Sequence, residues 1–382
     1  MDRLVFDVET TTSNKGNPFD TSNKLCYVGL RDSNNYLYDI EYSDKPCNAN
    51  EIQNRINNCS LLIGFNIKFD LHWIRKYGIT FNTCRIWDCQ LVHFILSGQS
   101  DTYPSLNDVA SYYGLGTKLD VVSEQYWKAG IDTPDIPREI LEEYLIGDLV
   151  LTEQVYLKQL EDLERRPELK RLVSLHNQDL LVLEEMEFNG LLYNEEESER
   201  LAVEVEDELK VLDGHLYAVH GCDGFNNNSG DHLSSFLYGG TIRIPYREVV
   251  GVFKTGERAG QVKERWAERE VHFERLVKPL KGSELAKEGY YSTDEATLRS
   301  LRGTKKAKEV IELLLRRAEL EKRVSTYYRG LLKLRETMNW KKGTIHGQLN
   351  QCVARTGRLS SSRPNLQNFD GSIKQLFISR YP

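Results

Sequence analysis

Asp7 and Glu9 stand two residues apart in the run Leu4-Val5-Phe6-Asp7-Val8-Glu9-Thr10, where Leu4, Phe6 and Val8 alternate with Val5, Asp7 and Glu9. Side chains two apart on a strand share a face, so both carboxylates leave one side while the first set is buried on the other. Adjacent acids repel unless a cation neutralises them, and carboxylate oxygens suit Mg²⁺ or Mn²⁺. A divalent-metal site is one reading of this stretch, and a solvated polar face on an edge strand is the other. Two more positions have the right chemistry. Asp70 falls in the first turn of a helix predicted over 67–77, which Asn66 can cap and Gly78 can close. Tyr144 and Asp148 are four apart on an amphipathic helix predicted from 138 to about 163, so a phenol and a carboxylate point the same way. His72, alone on its helix, reads as packing or surface rather than as a ligand.

The elements that must position these groups follow from the pattern around them. Residues 25–30 and 36–40 read as two strands joined by the Asp32-Ser33-Asn34-Asn35 turn, Ile52 and Ile56 mark a short helix, and the apolar run 60–65 reads as a buried strand. Three strands, a helix and a strand imply a mixed sheet with helices packed on it. Asp70 then lies on a helix leaving the carboxyl end of a strand, where ligands and catalytic groups collect. The stretch 86–91 is expected to open another helix, Ser105 to cap a third, and Pro134 and Pro137 to mark a loop.

At 382 residues with 40% hydrophobic content, the chain has room for two or three globular domains with ordinary cores. No apolar run approaches the roughly 20 residues of a membrane span. The acidic start Met1-Asp2-Arg3 is not a secretory signal, so the cytosol is the implied compartment. The seven cysteines, Cys26, Cys47, Cys59, Cys84, Cys89, Cys222 and Cys352, have no metal-knuckle spacing and read as reduced structural thiols. The net charge of −7 hides an asymmetry: residues 1–250 hold 22 Lys and Arg against 42 Asp and Glu, and residues 251–382 hold 28 against 15. A basic C-terminal third on an acidic body suits a polyanion grip beside a cation site; long helices solvated by Lys and Arg are the plainer account.

Three short motifs carry a resemblance. Asp-Val-Glu-Thr at 7–10, Asn-Ile-Lys-Phe-Asp at 66–70 and Tyr-Leu-Ile-Gly-Asp at 144–148 resemble, in that order, the motifs of 3′–5′ proofreading exonucleases, which use four acidic ligands and a tyrosine. The segment from Ser105-Leu106 to Gly114-Leu115 resembles the stretch such domains carry between the second and third motifs. The resemblance implies an α/β domain of ribonuclease-H-like fold with two Mg²⁺ or Mn²⁺ ions. Asp7 would bridge both metals, Glu9 and Asp148 would hold the one that generates hydroxide, Asp70 the other, and Tyr144 would orient the attacking water.

The second half resembles family A DNA polymerases. Residues 175–193 resemble the helix entering their polymerase region, Phe225-Asn226-Asn227-Asn228-Ser229 the thumb tip, and Tyr291-Ser292-Thr293-Asp294-Glu295 with a helix over 307–338 the same template. Thr356-Gly357-Arg358-Leu359-Ser360-Ser361 and Pro364-Asn365-Leu366-Gln367-Asn368 resemble the pair lying beside the primer terminus. The implied DNA-binding residues are Asn66, Asn226, Ser229, Thr356, Arg358, Asn365 and Gln367, with Arg358 reaching the primer-end minor groove and Gly357 allowing close backbone approach. Residues 242–280 depart from the cellular pattern and look like an insertion of phage-type members, open between contact with duplex backbone and a solvated hairpin.

The expected organisation is a 3′–5′ exonuclease domain over about 1–160, then a mainly α-helical thumb and partial palm over 161–382. The implied partners are a single-stranded 3′ end and primer–template duplex DNA. Because the palm aspartates and fingers of the family do not follow, this chain alone is not expected to polymerise. It reads as a fragment or as half of a split polymerase, and 375–378 as a strand prepared to join a palm sheet from a partner. A solitary exoribonuclease and a non-catalytic DNA-binding half are the rival readings.

Overall fold

The first strand, β1 (Leu4–Thr10), has side chains buried on both faces, which removes the edge-strand alternative. The computed structural model describes residues 3–43, 49–82, 84–117 and 121–380; Met1-Asp2 and Cys47, named above, lie outside them. After β1 come the hairpin strands β2 (Leu25–Arg31) and β3 (Asn35–Asp39), then α1 (Ala49–Asn57), β4 (Leu61–Gly64), α2 (Ile67–Lys76) and β5 (Arg85–Asp88). They form one sheet in the order β3-β2-β1-β4-β5, with β1, β4 and β5 parallel and β2 antiparallel to both neighbours.

Helices cover both faces. Leu4, Phe6 and Val8 join a core with Ile52 and Ile56 of α1, Ile67, Leu71 and Ile74 of α2, and the apolar side of α3 (Cys89–Leu96). Val5 and Ile63 pack on the opposite face against α4 (Leu106–Tyr112) and the long α5 (Arg138–Arg165). Ser105 caps α4 in a reciprocal box with Asp108, as its sequence predicts. Position 29 decides how closely α5 can approach. A Cβ built on Gly29 would lie 2.9 Å from the side chains of both Leu145 and Leu149. Gly29 is paired with Asp7 in the β1–β2 register, so the helix lies directly over the strand position that carries the first acid.

Two local expectations are corrected. Residues 85–88 are not the start of a helix but the edge strand β5; the Asp88 carboxylate ends it by accepting from the Gln90 and Leu91 amides, and α3 begins one residue later. Asn66 occupies the N-cap position of α2 in a left-handed conformation, φ 56°, ψ 40°, and its side chain makes no capping bond. Its backbone amide instead donates to the Asp88 carboxylate at 3.1 Å.

The chain continues through α6 (Lys170–Asn189) and β6 (Leu191–Tyr193) to α7 (Glu195–His220), α8 (Gly230–Tyr238), a ribbon of β7 (Gly240–Val252) and β8 (Val262–Phe273), α9 (Glu295–Ser300), α10 (Lys305–Lys322) and α11 (Arg329–Thr337). Short strands β9 (Thr344–Ile345), β10 (Gln348–Asn350) and β11 (Ser360–Ser362), then α12 (Gly371–Lys374) and β12 (Phe377–Ile378), complete it. Two compact units result, residues 1–195 with 331–382, and residues 196–330. The helix predicted over 307–338 is interrupted by a wide π turn at Arg323–Tyr328, where the Ser325 hydroxyl donates to the Glu321 carbonyl. β12 pairs with β6 of this same chain at the edge of a three-stranded sheet, with Leu376 beside it fully buried and Ile378 exposed. No helix among the described residues is long and apolar enough to cross a membrane.

In the second unit, Ile242 and Ile244 root the ribbon in a core with Leu237, Phe273 and Leu314. Beside that root Arg243 pairs across the strands with Glu270 at 3.1 Å; further out Arg265 pairs with Glu248 at 2.7 Å, and Arg247 lies over the exposed ring of Trp266.

The close approach at Gly29 yields a prediction. Gly29→Val places branched carbon where Leu145 and Leu149 now sit, so the variant is expected to lose about 1–3 kcal/mol of stability in urea unfolding. An unchanged midpoint would show that α5 does not depend on that gap.

Candidate active site

The sheet delivers two acids from one strand, and the packing of α5 supplies a third. Carboxylate oxygens of Asp7, Glu9 and Asp148 all lie within 4.8 Å of one another, with Glu9 and Asp148 buried and Asp7 partly so. Asp70, in the first turn of α2, approaches from the other helix layer. It is buried, its carboxyl accepts from the Val8 amide, and it feels the negative charge of Asp7. Burial first, then the charges of Asp7 and Asp88, hold the Asp70 carboxyl well above the usual range. Three acids therefore cluster, and the fourth feels the charge of one of them, Asp7.

Tyr144 is half-buried one turn before Asp148, with its ring edge-on to Trp127 at 5.9 Å between centroids. That indole donates to the Thr133 hydroxyl at 3.2 Å, and Thr133 in turn donates to the Thr10 carbonyl at 2.6 Å. Asp132 accepts from both the amide and the hydroxyl of Thr12. The 127–133 loop is thus fastened to the end of β1, and it carries the indole against which Tyr144 rests. Composition and spacing offered no signal for this fastening, because its partners are about 120 residues apart.

Asp88 is a second group the sequence reading passed over. Fully buried, it is pushed up to about 6 by desolvation, against which the amides of Leu91, Asn66, Gln90 and Ile67 pull down. Its signal was an acid at the junction of an apolar run and a helical period. His72 proves to be a packing residue, set among charged side chains. On α2, Lys68, His72 and Arg75 face Glu184 and Glu187 of α6: Lys68 Nζ lies 2.7 Å from Glu187, His72 Nε2 lies 2.9 Å from it, and Arg75 grips Glu184 with two bonds of 2.9 and 2.6 Å. His72 Nδ1 lies 3.2 Å from Glu184 without the alignment of a hydrogen bond. With these hydrogen bonds and the Lys68 charge, Glu187 lies below the usual carboxylate range despite its burial.

A cavity of about 370 Å³ opens beside these elements, lined among others by Asn66, Lys68, Asp88, Tyr103, His346 and Arg363. Of the residues read as DNA-binding, Asn66 lines this cavity. Thr356 and Arg358 are exposed on the loop that β10 and β11 frame, and neither makes a hydrogen bond or ion pair among the described residues. Gly357 between them has φ +72°, which glycine adopts without strain. Asn365 and Gln367 are partly committed within the chain, Asn365 capping the 366–368 turn and Gln367 donating to the Leu359 carbonyl at 2.9 Å. In the second unit Ser229 caps α8, and Asn226 is exposed with its side chain accepting from the Asn228 amide.

Residues 266–381 match the family model for DNA polymerase family A. Over that stretch the chain is similar to the family A DNA polymerases, and DNA polymerase I proteins resemble it more widely. DNA polymerase I of Synechocystis is 28% identical over 320 residues, covering 82% of this chain and 28% of that protein. The Bacillus subtilis enzyme is 26% identical over 300 residues, covering 76% of this chain and 28% of its own length. A thermostable DNA polymerase I of Thermus filiformis reaches 32% over 187 residues, 49% of this chain and 17% of that one. The chain therefore spans less than a third of the length of these curated relatives. Among solved structures, the POL domain of Pol1 from M. smegmatis, in complex with DNA primer-template and dNTP, superposes with a TM-score of 0.66 at 18% identity, covering 96% of this chain and 52% of that one, a likeness of fold.

Asp88 supplies the pH prediction. Its folded value of about 6 lies above its ordinary 3.8, so between those values the folded chain holds a proton that the unfolded chain has released. Stability from this group is present at low pH and is lost as pH rises through about 6. Asp88→Asn keeps an oxygen for the Gln90 and Leu91 amides without the charge. It is expected to gain about 1–3 kcal/mol in metal-free buffer at pH 7.5 and almost nothing near pH 4, read by urea unfolding. Equal gains at both pH values would rule the account out.

Proposed function

We propose that this chain is a two-metal 3′–5′ exonuclease and DNA-holding portion of a family A DNA polymerase. The observation that carries the reading is the convergence of Asp7, Glu9 and Asp148 within 4.8 Å, with Asp70 coupled to Asp7. An all-oxygen set of acids, buried but for the half-buried Asp7, fits hard divalent cations. Asp7, Glu9, Asp70 and Asp148 would hold Mg²⁺ or Mn²⁺, and ions bound there ionise water and neutralise charge on a phosphodiester. Tyr144, projecting from the same helix face as Asp148, orients the attacking water through its hydroxyl. No side chain of this set attacks covalently. The strand order β3-β2-β1-β4-β5, with β2 antiparallel, supports a ribonuclease-H-like exonuclease domain over about 1–160.

In this reading residues 161–382 are thumb and the start of the palm. Arg358 and Thr356, exposed and without a partner among the described residues, are free to meet the primer end, and Asn66 receives the single-stranded 3′ terminus at the cavity it lines. The family match over 266–381 supports a parent activity of DNA synthesis, and the acid cluster is what supports proofreading beside it.

The test is Mg²⁺-dependent shortening of a 3′-labelled single-stranded DNA, with an RNA strand of the same sequence alongside. The chain is expected to degrade the DNA, and Asp7→Ala/Glu9→Ala to lose at least about 100-fold in rate, ~2.7 kcal/mol of transition-state stabilisation. Primer–template binding is expected to survive in the variant. If neither protein cuts while both bind primer–template, the acids are structural remnants and the chain only holds DNA; faster cutting of RNA would make it a ribonuclease.

A further inference from the structure

We propose that Cys59 and Cys84 form an intramolecular disulfide when the protein meets a low-molecular-weight disulfide oxidant. Cys59 lies in the turn between α1 and β4, and Cys84 immediately precedes β5. The two parallel strands start side by side, with Leu61 registered against Arg85 and the Arg85 amide bonded to the Ser60 carbonyl at 3.0 Å. That pairing brings the two sulfurs to 3.1 Å, inside the roughly 3.5–4.0 Å of ordinary heavy-atom contact. A disulfide needs about 2.05 Å, so the remaining approach is about 1 Å. Both residues are buried in the core with Ile56, Phe81 and Ile79, and the Cys84 sulfur also contacts the Ile56 carbonyl at 3.1 Å.

The chemistry balances as an exchange. One thiolate attacks the small disulfide and expels one small thiol; the second protein thiol, losing its proton, attacks the mixed disulfide and expels the other. The protein gains one S–S bond and gives up two electrons, and two small thiols carry away the electrons and protons. The neighbouring thiol first, and burial second, push the Cys59 thiol well up from its ordinary value, so thiolate is scarce at neutral pH and the exchange is slow. The bond would close residues 59–84 into a loop containing β4 and α2, and with them Asn66 and Asp70. Cross-linking a loop of that size restrains chiefly the unfolded chain.

The full native chain is incubated with oxidised glutathione, its remaining thiols are alkylated, and the non-reduced digest is mapped by mass spectrometry. The expected result is a peptide joining Cys59 to Cys84, lighter by two hydrogens, absent from Cys59→Ser and from Cys84→Ser. It forms faster at pH 9 than at pH 7 and raises the melting temperature by about 5 °C, reversibly with reductant. Recovery of both residues alkylated from the native protein overturns the proposal, as does a persistent glutathione adduct on either one, or pairing with any other cysteine. Should a serine variant fail to fold, the map of the unsubstituted chain decides alone.

Discussion

Like charges held together inside a protein repel with an energy that packing must overcome, and this fold is arranged around that conflict. Asp7, Glu9 and Asp148 converge with Asp70 beside them, and each arrives on an element fixed by apolar contact: β1 in the centre of the sheet, α2 on one face, α5 on the other. None of these elements can relax away without opening a core. Burial raises the Asp70 carboxyl well above its usual range, and the charges of Asp7 and Asp88 add to the rise as the local expression of that cost. A site that is electrostatically unfavourable when empty and geometrically fixed has free energy in reserve for a cation.

Two devices outside the cluster set its geometry. Gly29 removes the side chain that would keep α5 off the sheet opposite Asp7, and so sets how near Asp148 can come. The Lys68, His72 and Arg75 contacts with Glu184 and Glu187 fix α2 against α6 through two carboxylates that are almost fully out of water. Buried pairs of this kind contribute little net stability against an apolar alternative, but removing one partner strands the other. Glu187 meets that demand by accepting from Lys68, from His72 and from the Leu349 amide, while Lys68 also donates to the Leu349 carbonyl. The register of α2 is thereby tied to that of β10, so the helix carrying Asp70 and the strand leading to the Arg358 loop are held within one compact unit.

What the sequence made legible was local and periodic. The alternation in β1, the hairpin at 25–40, the capping box at Ser105 and the long helix from 138 could all be read because neighbours along the chain determine them. The errors fell where a distant partner decides. Residues 85–88 carry a helix-opening pattern, yet β4 captures them as a strand, and Asp88 then caps α3 while also holding the Asn66 amide. Asn66, a good capping residue by type, gives its backbone to Asp88 and turns left-handed instead. His72 looked ordinary because Glu187, its partner, is 115 residues away. The motif acids were readable as chemistry; their supports were readable only in three dimensions.

The ribbon of β7 and β8 shows the same division from the other side. Its root is ordinary core, Ile242 and Ile244 against Phe273, but from Tyr246 outward no apolar layer holds it. A two-stranded ribbon alone is marginal in water. Here the Arg265–Glu248 ion pair and the Arg247–Trp266 contact replace a core, each contributing roughly 0.2–1 kcal/mol. Cross-strand ion pairing also consumes charge: Arg243 and Arg265 are already matched within the ribbon, which leaves Lys254, Arg258 and Lys263 near the tip as cations outside that ladder. Any attraction this segment has for a phosphate backbone falls to the cations outside the ion pairs, these three with Arg247 and Arg269, and salt would weaken it.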